Sequence, residues 1–264
     1  MSPRISKVML HMWEEPCISG TNGSGTVFFS GCNLRCVFCQ NYKISQEEVG
    51  EEVDPSGLAA IFLSLESQGA HNINLVNPTH FITSIVEAID IARQMGLKIP
   101  FVYNTNGYES VDSLKLLEGK IEVYLPDIKY FNKEASLKYS GVSNYFEICK
   151  EAVWEMYRQV GMPKFDECGI IIKGLIIRHL ILPSLSKDSL KVLEFVSDKF
   201  PKEIFVSIMS QYIPYYRANR FSEINRKLTK FEYDRVLEYF YSLGLNNGYM
   251  QERESASKAF IPEF

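Results

Sequence analysis

The feature that most restricts the fold of this chain is an alternation of two patterns. Short apolar runs rich in β-branched and aromatic residues recur between longer stretches with helical periodicity. The apolar runs fall at residues 26–30, 72–77, 99–104, 121–125, 170–182 and 204–209. The helical stretches fall at 55–68, 81–95, 111–117, 144–160, 186–199 and 229–243. In the first of these, Leu58, Ile61, Phe62 and Leu65 share a face, and Phe146, Ile148, Val153 and Met156 do the same in the fourth. Gly96 ends the second, and Thr229 with Glu232 forms a capping-box signature at the start of the last. Continuous apolar strands separated by helices imply a parallel sheet covered by helices. About six β/α units in succession predict the α/β class, as a partial, laterally open (β/α)6 TIM-like barrel. Chemistry in such sheets collects at the carboxyl ends of the strands, so polar residues there are the candidates.

One barrel can use all 264 residues. No repeat, low-complexity segment or linker divides them. We therefore expect a single domain over 1–264, with an N-terminal extension at 1–25, the barrel at 26–212, and a C-terminal helix and tail at 213–264. The segment from His11 to Glu15 is expected to cover the bottom of the barrel without taking part in chemistry. A net charge of −4 gives no basic excess to favour nucleic acid or an anionic membrane. No apolar run approaches the roughly 20 residues that span a bilayer. The opening MSPRISKVMLHMWEEP has its apolar stretch broken by His11 and Glu14, unlike a secretory signal. The expected location is the cytoplasm, where thiols stay reduced.

Three of the six cysteines, Cys32, Cys36 and Cys39, are spaced C-x3-C-x2-C directly after the first strand. Their sulfurs can converge at that strand's carboxyl end. Thiolates are the usual ligands of iron–sulfur clusters, and a cubane normally takes four. Three from the protein would leave one iron open to a small molecule. Two other readings remain: a structural zinc site that recruits Cys17 from upstream of the strand, or unrelated core cysteines. Cys149 and Cys168 are isolated and are expected to be buried free thiols.

With aromatic Phe38 before its last cysteine, the motif resembles that of the radical S-adenosylmethionine superfamily. The resemblance implies a [4Fe-4S] cluster on Cys32, Cys36 and Cys39, with the methionine end of S-adenosylmethionine chelating the open iron. It implies reductive cleavage of that cofactor to a 5′-deoxyadenosyl radical that abstracts hydrogen. Residues 20–26 (GTNGSGT) and Gln40-Asn41-Tyr42 resemble the subgroup of pyruvate formate-lyase activating enzymes. That subgroup implies a glycyl-radical enzyme or other macromolecular substrate as partner, and an electron donor such as flavodoxin or ferredoxin. Other readings are a radical enzyme acting on a different peptide, an RNA or a small metabolite, and a non-enzymatic zinc or iron–sulfur protein.

The same resemblance supplies candidates at the other strand ends. Where activating enzymes carry Gly-Gly-Glu-Pro for the methionine amino group, this chain has Asn77-Pro78, and Asn77 offers a neutral carbonyl. Asn104-Thr105-Asn106-Gly107 and Asp127-Ile128-Lys129 are similar to loops that build a monovalent cation site beside the cofactor carboxylate, with Asn104 replacing an aspartate. Lys129 is expected to pair with the cofactor carboxylate or with Asp127. Of Arg178 and His179, only one can face the interior, because side chains alternate along a strand, and Arg178 is favoured. Gln211 and Tyr212 end the sixth strand, where they can hydrogen-bond or stack on an adenine. His80 could reach substrate or cap a helix.

Overall fold

A computed structural model describes residues 2–47, 49–252 and 256–257. In chain order the first half is β1 (Arg4–His11), α1 (Pro16–Ser19), β2 (Ser24–Phe29), α2 (Tyr42–Gln46), β3 (Glu51–Glu52), α3 (Pro55–Ser67), β4 (Ile73–Val76), α4 (Ile82–Gln94), β5 (Phe101–Thr105) and α5 (Val111–Lys115). The second half is β6 (Val123–Pro126), α6 (Lys133–Ser140), α7 (Tyr145–Val160), β7 (Lys164–Phe165), β8 (Ile171–Leu180), α8 (Ser186–Lys199), β9 (Phe205–Met209), α9 (Lys230–Ser242) and β10 (Asn247–Met250). Along one sheet the order is β10-β9-β8-β6-β5-β4-β2-β1-β3. From β10 to β2 every neighbouring pair is parallel, as the alternation implies. This is the open, mostly parallel α/β barrel expected.

The sheet extends past residues 26–212 on both sides. β1 pairs antiparallel with β2, and β10 adds a further parallel strand beside β9. Neither is an obvious apolar run. β1 (RISKVMLH) is mostly half-buried and lies between β2 and the two-residue β3, and β10 (NGYM) is short and half-buried. The short helices α1, α2 and α6 also lack enough periodicity to be read alone, since helices of this length depend on tertiary contacts. α6 does carry a cap: the Asn132 side chain accepts from the backbone N–H groups of Glu134 and Ala135. The capping box at Thr229 and Glu232 is formed as expected. The tail at 259–264 lies outside the described residues.

Among the described residues two apolar cores result. The larger fills the space between sheet and helices, with Phe62, Phe101, Tyr103, Tyr124 and Tyr145 fully buried. Full burial of side chains this size stabilises by about 2 kcal/mol each. The smaller lies inside the barrel, where Val102, Val123, Leu125, Ile171 and Ile176 meet Cys17 and Ile18 of α1. β1 delivers α1 to that place. His11 pairs with Ser24, at the start of β2, so the chain leaves β1 at the amino-terminal end of the sheet. α1 therefore plugs the barrel bottom and leaves the carboxyl ends open. Among the described residues no helix is long and apolar enough to cross a membrane.

Candidate functional site

The cysteine loop leaves β2 through Gly31, whose φ of 88° is a conformation glycine adopts without strain. Backbone bonds clamp the loop from several directions. Gly31 N–H donates to the Ile44 carbonyl at 2.8 Å, Arg35 N–H to Ser140 at 3.0 Å, and Val37 N–H to Tyr139 at 2.8 Å. Arg217 N–H in turn donates to the Val37 carbonyl at 2.8 Å. Asn77, with φ 58°, donates its side-chain amide to the Gly31 carbonyl and so ties the end of β4 to this loop. The thiols of Cys32, Cys36 and Cys39 are free and line one cavity of about 340 Å³. Cys32 Sγ accepts from Leu34 N–H at 3.5 Å and from Asn106 Nδ2 at 3.4 Å. Cys36 and Cys39 lie 3.0 Å and 3.3 Å from the hydroxyls of Ser140 and Ser45. Burial pushes the Cys36 thiol up to about 12 and raises Cys39 as well, so without metal both are protonated at neutral pH.

Asn77, Asn104, Thr105, Asp127, Lys129, Arg178, Gln211 and Tyr212, named from the sequence, all line this same cavity. Arg178 organises the floor. Its Nε donates to Asp127 Oδ1 at 2.8 Å, one terminal nitrogen to Asn104 Oδ1 at 2.6 Å, and the other to Glu14 Oε2 at 3.2 Å. Lys129 Nζ bonds the second Asp127 oxygen. Glu14 Oε1 accepts from Asn74 and Asn104 at 3.2 Å and 3.1 Å. Burial alone would raise the Asp127 pKa, but the charges of Arg178 and Lys129 outweigh it and hold the carboxyl below its usual range. Burial likewise disfavours charge on Lys129 and Arg178, and the Asp127 carboxylate more than offsets it, so both stay protonated.

Several expectations change against this geometry. Glu14 belongs to the segment that covers the barrel bottom, yet its carboxylate reaches into the cavity and pairs with Arg178. No local signal separates it from its neighbour Glu15. The Tyr212 hydroxyl is spent on the Ile224 carbonyl at 2.8 Å, and the ring packs edge-on to Phe38, so it offers a ligand only its ring. Lys129 pairs with Asp127. His179 points away from the cavity, with Nδ1 2.6 Å from the Ile128 carbonyl oxygen, and burial lowers its pKa to about 4. His80 is exposed and does not line the cavity. Cys149 is buried as expected, but Cys168 is exposed in the turn between β7 and β8. Cys17 is held in the barrel plug.

The oxygens that would face a monovalent cation are already engaged. Both oxygens of Asp127 meet protein cations, Asn104 Oδ1 meets Arg178, and the Thr105 hydroxyl donates to Glu109. This set does not fit such an ion. Glu109 was not singled out by sequence. It is 2% exposed, also accepts from Thr79 Oγ1 at 2.6 Å and Tyr103 OH at 3.4 Å, and leaves its Oε2 without a partner among the described residues. Burial pushes its pKa up to about 7 against those three hydroxyl donors. Asn106 was read only as part of a motif, and it turns out to join the Asn-Thr-Asn-Gly loop to Cys32 and Asn33.

The family model of the radical SAM superfamily matches residues 26–195, which hold the triad and every strand from β4 to β8. The chain belongs to the radical SAM superfamily. It is 34% identical over 243 residues to the uncharacterized protein MJ0674 of Methanocaldococcus jannaschii, covering 88% of this chain and 65% of that relative. The chain thus spans about two thirds or less of the relatives it matches. Among solved structures, Streptococcus suis SuiB bound to its precursor peptide SuiA superposes with a TM-score of 0.57 at 14% identity, over 84% of this chain and 47% of SuiB. A domain of a pyruvate-formate lyase-activating enzyme from Bacteroides vulgatus gives 0.50 at 12% identity, over 69% of this chain and all of that one (100%). At these identities the likeness shows a shared fold.

The superfamily implies a [4Fe-4S] cluster and S-adenosylmethionine, and the cavity fits that pair. Three free thiols share one wall, and the neighbouring floor carries cations, amides and hydroxyls. Among the described residues, no three His, Cys, Asp or Glu side chains converge closely enough to hold a single metal ion, as a zinc site requires.

Proposed function

We propose that this chain is a radical S-adenosylmethionine enzyme whose cluster is held by Cys32, Cys36 and Cys39 and whose cofactor lies against Asn77, Asn104, Thr105, Asp127, Lys129, Arg178, Gln211 and Tyr212. The observation that carries this reading is the convergence of three free cysteines and these eight residues on one cavity at the strands' carboxyl ends. When bound, the cluster supplies the electron that cleaves the sulfonium to a hydrogen-abstracting 5′-deoxyadenosyl radical.

The chain's own residues have separable roles. Cys36 and Cys39 lose their protons on ligating iron, which makes cluster uptake favour higher pH. Lys129 and Arg178 offer cationic N–H donors to a carboxylate, with Asp127 and Glu14 balancing their charge and holding them in place until it arrives. Asn77 holds the cysteine loop with its amide nitrogen and has its amide oxygen left to accept from an ammonium. Leu180, Met209, Ile213 and the Tyr212 ring line the cavity with apolar surface, which excludes water from a reactive centre.

We read the hydrogen donor as a macromolecule reached through the open side of the barrel. A backbone glycine of a glycyl-radical enzyme is its most specific form, with a flavodoxin or ferredoxin supplying electrons. The absence of Gly-Gly-Glu before Pro78 favours a different polypeptide target over that form. Anaerobic reconstitution with iron and sulfide tests the central reading. About four irons per chain and release of 5′-deoxyadenosine on reduction are expected, with both lost in Cys36→Ala. Stoichiometric zinc without cofactor cleavage would refute it.

A further inference from the structure

A second cavity of about 270 Å³ adjoins the first and shares Trp13, Glu14, Arg178, Met209, Gln211 and Gln251 with it. Its own walls come from the start of α1 and from β9 and β10, through Glu15, Ser207, Tyr249 and Met250. β10 is the end strand of the sheet, so this cavity lies at the side of the barrel rather than over its mouth.

Glu15 is the unusual group here. Its side chain lines the cavity and the residue is only 8% exposed, yet Oε2 has no hydrogen-bond partner among the described residues. The nearby guanidinium of Arg178 makes no ion pair with it, because its nitrogens go to Asp127, Asn104 and Glu14. A buried acceptor without a donor costs about 1–3 kcal/mol. The aromatic side chains of Trp13 and Tyr249 stand in the same wall, and the Glu14 carboxylate lies beside it. Carboxylates next to aromatic faces are the setting in which proteins hold cationic nitrogen.

We infer that this side cavity receives an ammonium or guanidinium group of the substrate, and that Glu15 is its anchor. Calling the occupant a substrate rests on the radical-enzyme reading; the affinity for cationic nitrogen does not. Burial raises the Glu15 pKa, as does neighbouring Glu14, against the pull of Arg178 and the hydrogen bonds from Ser207 and the backbone; a cation entering the cavity would favour the charged carboxylate. A basic side chain of a polypeptide would then be fixed one cavity away from the proposed cofactor.

The test uses the reconstituted chain without reductant, and small probes followed by ligand-detected NMR. Butylammonium and butylguanidinium are the cations, and butyramide is the neutral control. Wild-type protein should bind at least one cation with a dissociation constant at least tenfold below that of butyramide. Glu15→Gln should lose that preference. Glu15→Asp, which keeps the charge on a shorter arm, should retain preference at reduced affinity, and it serves if the glutamine variant fails to fold. Equal binding of cations and butyramide by the wild type, or an undiminished preference in a folded Glu15→Gln, would overturn the inference. Formation of 5′-deoxyadenosine by wild-type protein on reduction is scored separately, so failure of the radical reading leaves a distinct result.

Discussion

Glu109 ties the stability of the barrel mouth to pH. Its carboxyl is buried, meets no cation among the described residues, and is held by three hydroxyls on one oxygen. Burial dominates and moves the folded pKa from 4.5 to about 7. The folded state therefore keeps a proton that the unfolded chain releases between those values. The stability from this group is fully present below the unfolded pKa and is lost as pH rises through the folded one. At about 1.4 kcal/mol per pKa unit, the loss comes to about 2.5 kcal/mol between roughly pH 5 and roughly pH 8. Glu109→Gln cannot ionise and lacks this slope, whatever constant cost its amide adds by facing the unpartnered side. Urea denaturation of both proteins, without cluster and under reducing conditions, gives the difference directly. Stability profiles that run parallel across this range would refute the assignment and show that Glu109 is ionised in the folded protein.

Other substitutions test the charge network and the loop beneath it. Arg178→Ala leaves Asp127 and Glu14, with side chains 13% and 12% exposed, short of their shared cation. A loss of about 3–5 kcal/mol is expected in urea denaturation, as when one partner of a buried ion pair is removed. Gly107 has φ 79°, and an added Cβ would collide with the backbone oxygen of Asp127. Gly107→Ala should cost more than about 1 kcal/mol and lower the melting temperature by several degrees, with Asp127 displaced from Arg178.

Much of the fold was legible because the alternation is strong. Each apolar run became a parallel strand and each periodic stretch a helix, within a few residues. The strands that escaped, β1, β3, β7 and β10, are stabilised by what they pair with. A strand at an edge needs neither continuous apolarity nor strict alternation when its neighbour supplies half its hydrogen bonds. The exposure of Cys168 was missed for a related reason. Its turn is fixed by Asp166, whose side chain accepts from Cys168 and Ile170 N–H groups at 2.9 Å each, and that arrangement faces solvent.

At the site, the division follows the range of the interactions. The cysteine spacing, the polar residues after each strand and the facing of Arg178 over His179 are consequences of local order along the chain. They could be named from the sequence, through strand periodicity and through resemblance. The pairing of Glu14 with Arg178 joins residues 164 positions apart in the chain, and the clustering of three hydroxyls on Glu109 draws on β5 and the loops after β4 and β5. Whether Glu15 faces a cavity or a partner is equally settled only by packing. Charge and hydroxyl pairing depend on distances between separate elements, and only the closed sheet sets those distances.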